Sequence, residues 1–174
     1  MLSDDTPLVA FQQDPTNRMF NEPNRDIPDW PLRNWTKGDL IDHFGARDRE
    51  DILSAQTHYA TAFLIRKTPQ AEVFLDSWID TFRNNWSLID DSPSLSPNEP
   101  SFVEHRHDQA IFSLLCHQFP VISLSGCELW CPHDWMKLED YPVHAKRDRG
   151  KKVKFQRRKA KFKKLLKKLT GQPT

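Results

Sequence analysis

The feature that most constrains the fold is a short apolar run followed at once by a long amphipathic stripe. Residues 60–65 read ATAFLI, a length and composition typical of a buried strand. Thr68 and Pro69 then supply a helix N-cap and a first helical residue. Apolar residues follow with the helical period over about four turns, namely Ala71, Phe74, Leu75, Trp78, Ile79, Phe82 and Trp86. This order predicts an α/β domain with the whole stripe in its core.

Further signals extend the same pattern. Residues 8–11, LVAF, predict a buried strand, and no earlier strand is available to pair with it. Residues 106–118 predict a second helix, which Pro120 ends, and residues 121–124 predict a third strand. The order strand, helix, strand, helix, strand predicts an α/β fold whose sheet is incomplete.

The segments between these elements predict short helices and loops. Thr36 is the expected N-cap of a short helix, with Asp39 completing a capping box and Gly45 ending the helix. Residues 49–55 predict another helical turn. Residues 13–31 and 90–100 are rich in Pro, Asn and Asp, and they predict loops.

Charge divides the chain into two parts. Residues 146–174 contain 14 Lys/Arg and one acid, whereas residues 1–145 contain 11 Lys/Arg and 23 acids. Within the basic tail, residues 151–169 place Phe and Leu on one helical stripe among basic residues, which predicts a C-terminal basic amphipathic helix. We predict a main domain over residues 1–145 and a tail whose partner is an anionic membrane surface. Nucleic acid, or the acidic domain itself, is the alternative partner.

Other signals narrow the class of protein. Three cysteines imply no disulfide framework. Cys127, Cys131 and His133 are close in sequence but lack zinc-site spacing and a fourth ligand, so we predict no metal ligands. The N-terminal residues lack the pattern of a signal peptide, and no run reaches the length of a membrane span. These features predict a cytoplasmic protein that is peripheral at the membrane.

The densest group of functional side chains is the HRHDQ segment, residues 105–109, at the start of the second long helix. His107, Asp108 and Gln109 offer a general base, a carboxylate and an amide within one turn. An acid in the first helical turn also has a purely structural explanation in the helix dipole. From chemistry alone, a helix cap and a functional site remain equally open.

Two weaker candidates accompany this group. Residues 35–39, WTKGD, fit a capped surface helix best. The second predicted strand is flanked by Gln56, His58 and Arg66. At the end of a strand, the guanidinium group of Arg66 could bind a phosphate through two hydrogen bonds. An ion pair between Arg66 and one of the many acids is the favoured alternative.

Three blocks of the sequence resemble a known family. They are WTKGDLIDHFG at residues 35–45, SAQTHYATAFLIRKTPQAEVFLDSWID at residues 54–80, and LIDDSPSLSPNEPSFVEHRHDQAIFSLLC at residues 88–116. Together they resemble the C-terminal half of bacterial-type glycosyltransferases with a GT-A, nucleotide-diphospho-sugar transferase fold. Such enzymes build surface polysaccharides. The resemblance implies a partial GT-A-like mixed sheet with flanking helices.

The resemblance also implies roles for individual residues. Asp108 and Gln109 would face the transferred sugar, with His107 beside them as a catalytic residue. His105 and Arg106 would flank the donor or acceptor. Further substrate-binding positions are implied at Trp35, Thr36, Lys37, Asp39, Gln56 and Arg66. The implied reaction moves a sugar from a nucleotide-sugar donor to a glycan or lipid-linked acceptor hydroxyl, with Mg²⁺ or Mn²⁺ accompanying the nucleotide sugar.

The chain departs from this family in one respect. The family's donor-binding half, with its acidic metal motif, precedes the strand that residues 8–11 match. The chain has five glycines and no Gly-rich phosphate loop. We therefore expect the acceptor-side half alone, as a truncated product, a piece of a split enzyme or a remnant. The alternative is a non-enzymatic binding module whose basic tail docks on anionic membrane or nucleic acid.

Overall fold

A computed structural model describes residues 2–15, 29–130, 138–145 and Phe162. This part of the chain is mixed α/β, as predicted. Its strands are β1 (Leu8–Gln12), β2 (His58–Ile65) and β3 (Val121–Ser125). Its α-helices are α1 (Leu32–Trp35), α2 (Gly38–His43), α3 (Glu50–Leu53), α4 (Pro69–Asn84) and α5 (His107–Cys116). Two short 3-10 helices cover Trp86–Leu88 and Gly126–Glu128.

The three strands form one mixed sheet in the order β2-β1-β3. Strand β1 pairs antiparallel with β2 and parallel with β3, so that Leu8 lies opposite both Ile65 and Val121. The register of the antiparallel pair shifts between Ala10 and Phe11. Strand β1 finds its neighbours later in the chain, because two later strands enclose it and make it the central strand.

Helix α5 packs against β2 and forms the centre of the core. All of its residues from Ala110 to Cys116 are buried. The ring of Phe112 lies 5.0 Å from that of Trp78, 5.2 Å from that of Phe63 and 5.8 Å from that of Phe74, measured between centroids. This aromatic cluster joins α4, α5 and β2, and it fixes where α5 begins.

Helix α4 begins at the residue that the sequence predicted. The Thr68 side chain accepts a hydrogen bond of 3.1 Å from the Ala71 N–H, with Pro69 as the first helical residue. The predicted core stripe is wrong at two positions, since Ile79 is 42% exposed and Trp86 is 62% exposed. Ile79 lies at the edge of the stripe, and Trp86 lies beyond the end of α4, where the helical period no longer places side chains.

Among the shorter helices, α2 has a different N-cap from the one predicted. Helix α2 begins at Gly38, and Lys37 occupies the N-cap position without a side-chain cap bond. Thr36 is fully buried one residue earlier, so its predicted capping role is wrong. Gly45 follows α2 with a φ of 62°, which confirms it as the helix stop. Helix α3 lies inside the predicted turn over residues 49–55.

Several predictions fall on residues outside the described ranges. These include most of the loop over residues 13–31, the metal-ligand candidates Cys131 and His133, and the basic helix over residues 151–169. Within that helix only Phe162 is described, and it is helical and 63% exposed. No helix in the described ranges has the length and apolarity needed to cross a bilayer.

Candidate functional site

A cleft of about 520 Å³ lies beside the N-terminus of α5, and we call it the α5 cleft. Its lining combines aromatic and apolar side chains with carboxylates and an imidazole. Its lining residues are Phe82, Trp86, Ile89, Asp90, Asp91, His107 and Asp108. The α5 cleft therefore contains two of the three predicted catalytic residues, next to side chains that the sequence assigned to the core and to a loop.

His107 has an unusual backbone and a defined partner. Its φ is 48°, in the left-handed region that side-chain-bearing residues rarely adopt. Its Nε2 lies 2.8 Å from Asp91 Oδ1. Because a carboxylate accepts hydrogen bonds and does not donate them, Nε2 carries the proton of the neutral ring and donates it to Asp91. Nδ1 is then the nitrogen that can accept a proton. Strained conformations of this kind concentrate at functional sites, and this one turns the imidazole toward the α5 cleft.

The strain at His107 predicts the outcome of a glycine substitution. We expect His107→Gly to keep the free energy of unfolding or raise it by up to about 1 kcal/mol, since glycine adopts the left-handed conformation without steric strain. The lost contact with Asp91 subtracts little, because both side chains are largely exposed. Urea denaturation measures the difference.

The reverse substitution at Gly45 is the matched control. Gly45 has a similar φ of 62°, and a Cβ there would meet no atom within 4 Å. Gly45→Ala should therefore lower the free energy of unfolding by roughly 1 kcal/mol through backbone strain alone. A loss of more than about 1 kcal/mol in His107→Gly would mean that the left-handed conformation carries no strain.

Asp108 and Gln109 continue the first turn of α5. The Asp108 side chain is exposed in the α5 cleft and forms no hydrogen bond or ion pair with the described residues. Gln109 is partly buried, and its carbonyl accepts a 2.7 Å hydrogen bond from Ser113 Oγ. The Asp108 carboxylate is thus free to contact a ligand, while Gln109 does not line the cleft.

His105 and Arg106 directly precede this turn and do not line the α5 cleft. The His105 ring is mostly buried and packs 5.3 Å from the His107 ring. Burial, followed by the nearby charges of His107 and Lys37, lowers the pKa of His105 to about 4. The Arg106 guanidinium lies 4.7 Å from the Trp30 ring and 5.1 Å from the Trp35 ring, as in cation–π contacts. Arg106 therefore anchors the two indoles.

Lys37 and Asp39 bind the loop that follows α4. The buried Lys37 ammonium group donates to the carbonyls of residues 87, 90 and 92. The Asp39 carboxylate accepts from the N–H groups of Leu95 and Ser96 at 2.8 and 2.6 Å. Burial of Asp39 acts to raise its pKa, but these hydrogen bonds outweigh burial and the pKa is lowered. Both side chains are engaged within the protein.

Gln56 lies at a second cleft of about 600 Å³, at the carboxyl ends of β1 and β3. Its Oε1 accepts from the Trp30 N–H at 2.8 Å. The exposed Ser123 on β3 also lines this cleft, and its Oγ lies 2.8 Å from Nε2 of the buried His58. The His58 ring in turn packs 4.9 Å from that of His117. The polar second cleft is distinct from the α5 cleft.

The two remaining predicted residues lie away from both clefts. Arg66 is half-exposed at the end of β2, and its Nε lies 3.0 Å from Asp4 Oδ1. This contact is the ion pair with an acidic residue that the sequence favoured over a phosphate contact. The Thr36 hydroxyl is buried without a hydrogen-bond partner among the described residues. The structure thus brings together His107 and Asp108 in the α5 cleft and separates Gln56 and Arg66 from them.

The residues of the α5 cleft do not form a set of metal ligands. In the described ranges, no three His, Cys, Asp or Glu side chains converge on a point where they could hold a metal ion. Asp90 is engaged by Lys37 and Asp91 by His107.

Sequence reasoning missed Trp86, Phe82 and Asp91 as lining residues. Trp86 and Phe82 fit the helical stripe and were assigned to the core. Asp91 lies in a loop whose path is fixed by contacts with Lys37, more than 50 residues away in sequence. The one local signal is the clustering of Asp90 and Asp91 directly after an aromatic stripe.

Comparison of the chain with protein-family models, with curated proteins and with solved structures finds no match.

Proposed function

We propose that this chain is a glycosyltransferase-like protein that binds a glycan or lipid-linked acceptor in the α5 cleft. In this proposal the mixed sheet is part of a GT-A-like fold, and the donor is a nucleotide sugar. The observation that carries the proposal is the composition of the α5 cleft. The exposed indole of Trp86 lines the same cleft as the unengaged Asp108 carboxylate and the His107–Asp91 pair.

This composition suits a sugar. A pyranose presents an apolar face of C–H groups and an edge of hydroxyls. Trp86 and Phe82 offer flat apolar surface to the C–H face of the sugar. Asp108 and Asp91 accept hydrogen bonds from its hydroxyls. The resemblance of residues 88–116 to glycosyltransferases supports the same reading, because it assigns Asp108 to the sugar.

The proposed chemistry needs a base at the acceptor hydroxyl. The C–O bond between the donor sugar and its diphosphate breaks, a new C–O bond forms to the acceptor oxygen, and the hydroxyl proton leaves. His107 Nδ1 accepts that proton, with Asp91 holding Nε2–H and stabilising the resulting imidazolium. Asp108 orients the acceptor hydroxyl. The Mg²⁺ or Mn²⁺ ion predicted with the donor stays a prediction.

An assay of acceptor-dependent nucleotide release tests this function. The full chain is incubated with nucleotide sugars, glycan acceptors and Mn²⁺, and free nucleoside diphosphate is measured. The proposal expects release that requires the acceptor. Glycan binding without release would indicate an acceptor-side half that is inactive alone, and absence of both would overturn the proposal.

The binding-module alternative rests on the charge of the tail. Fourteen basic residues follow an acidic domain, and the described tail residue Phe162 exposes its ring. We propose a cytoplasmic protein held peripherally at an anionic membrane through residues 151–169. Co-sedimentation with anionic liposomes, with and without residues 146–174, tests this placement. Binding that survives deletion of the tail, or that is indifferent to salt, would contradict it.

A further inference from the structure

A buried ammonium group lies beneath the α5 cleft. Lys37 is 2% exposed, and a lysine is rarely buried unless its charge has partners. Its Nζ donates to the carbonyl of Ser87, to that of Ser92 at 3.1 Å and to that of Asp90 at 3.3 Å. The Asp90 carboxylate lies 3.6 Å away. The charge is therefore satisfied by one short segment, residues 87–92.

These contacts bracket the residue that pairs with His107. Asp90 and Ser92, which Lys37 binds, are the two neighbours of Asp91. Ser92 N–H also donates to Asp90 Oδ1 at 3.0 Å, which closes the turn. The backbone of Asp91 is thus fixed on both sides, while its carboxylate extends into the α5 cleft.

Lys37 contacts the other side of the pair as well. Its main-chain N–H donates to His105 Nδ1 at 3.4 Å. The His105 ring packs against the His107 ring, with their centroids 5.3 Å apart. One residue therefore contacts the supports of both Asp91 and His107.

We propose that Lys37 is a positioning residue, whose buried ammonium group holds the turn over residues 87–92 so that Asp91 meets His107 in the α5 cleft. This role rests on the proposed function, because it acts through the pair that would bind and deprotonate the acceptor. It replaces the substrate contact that sequence resemblance implied for Lys37.

The test uses three variants and two readouts. Lys37→Met removes the charge and keeps most of the side-chain volume, and Lys37→Ala leaves a space shaped for propylammonium. Arg49→Met is the control, since Arg49 forms an exposed ion pair with Asp51. Hydrogen exchange of the backbone amides of residues 87–92 reports the turn, and the Kd for an acceptor glycan reports the cleft.

We expect amide exchange in residues 87–92 to accelerate in Lys37→Met and Lys37→Ala and to stay unchanged in Arg49→Met. The glycan Kd should rise at least about tenfold, the effect of losing a hydrogen bond to a charged group. Propylammonium should restore both readouts in Lys37→Ala, whereas propanol should not. Adding Asp91→Ala to Lys37→Met should raise the Kd no further, because the two residues act together.

The outcomes separate the two proposals. Unchanged exchange in both Lys37 variants, or faster exchange with an unchanged glycan Kd, would overturn the positioning role. Additive effects of Lys37→Met and Asp91→Ala would overturn it too. A wild-type protein that binds no glycan would overturn the proposed function and the role of Lys37 in it, even if exchange shows that Lys37 holds the turn.

Discussion

Between pH 7.5 and pH 5, His58 alone should lower the free energy of unfolding by about 2 kcal/mol. His58 is the first residue of β2 and is fully buried, and the His117 ring lies 4.9 Å from its ring. Burial, reinforced by the charge of His117, lowers the pKa of His58 to about 3. The folded protein therefore keeps His58 neutral at a pH where the unfolded chain binds a proton.

The sign follows from proton uptake. Above the unfolded pKa of 6.5 both states are neutral at His58, and stability does not depend on its titration. As pH falls from 6.5 toward about 3, only the unfolded chain gains the proton, so stability falls. His105 and His117, whose pKa values are also lowered by burial, act in the same direction.

Urea denaturation at several pH values between 5 and about 8 measures this slope. His58→Gln removes the titrating ring and should flatten the slope by up to about 1.4 kcal/mol per pH unit. Ser123→Ala is the control, because it removes the hydroxyl 2.8 Å from His58 Nε2 and keeps the ring. An equal slope in His58→Gln and wild type would show that His58 is already accessible to protons in the folded state.

The substitution Asp108→Asn should lower the rate of sugar transfer about 100-fold, the cost of misplacing a reacting group by roughly 1 Å. Asn keeps the size of the side chain and removes the negative charge that would orient the acceptor hydroxyl. Stability should change little, because the Asp108 side chain is exposed and has no partner among the described residues.

Acceptor-dependent release of nucleoside diphosphate measures this effect. Asp76→Asn is the matched control, as it removes an exposed acid from α4 that does not line the α5 cleft. Full transfer activity in Asp108→Asn would remove Asp108 from the mechanism. Equal loss in both variants would trace the effect to overall charge.

Much of the fold follows from local patterns in the sequence. The three strands, α4 and α5 all lie within a few residues of their predicted positions, because each has a clear apolar period or a strong cap. Thr68 is an example, since its cap geometry needs only its own neighbours. Local patterns did not reveal that β1 is the central strand, because its partners lie about 50 and 110 residues later.

The site was predictable only in part. The HRHDQ segment marks the start of α5, and its polar residues do reach a cleft through His107 and Asp108. The aromatic wall was not predictable, because Trp86 fits the helical period of a helix that ends at Asn84. Asp91 was not predictable either, since its position depends on a lysine that the sequence gives no reason to bury.

The most direct test of the account is a calorimetric titration of the full chain with acceptor glycans. We expect saturable binding by the wild-type protein. The Kd should be at least about tenfold higher in Trp86→Ala, the effect expected of a central aromatic contact. Trp130→Ala, which removes another exposed indole outside the α5 cleft, should bind as the wild type does. Absence of glycan binding, or binding that Trp86→Ala leaves unchanged, would contradict the account.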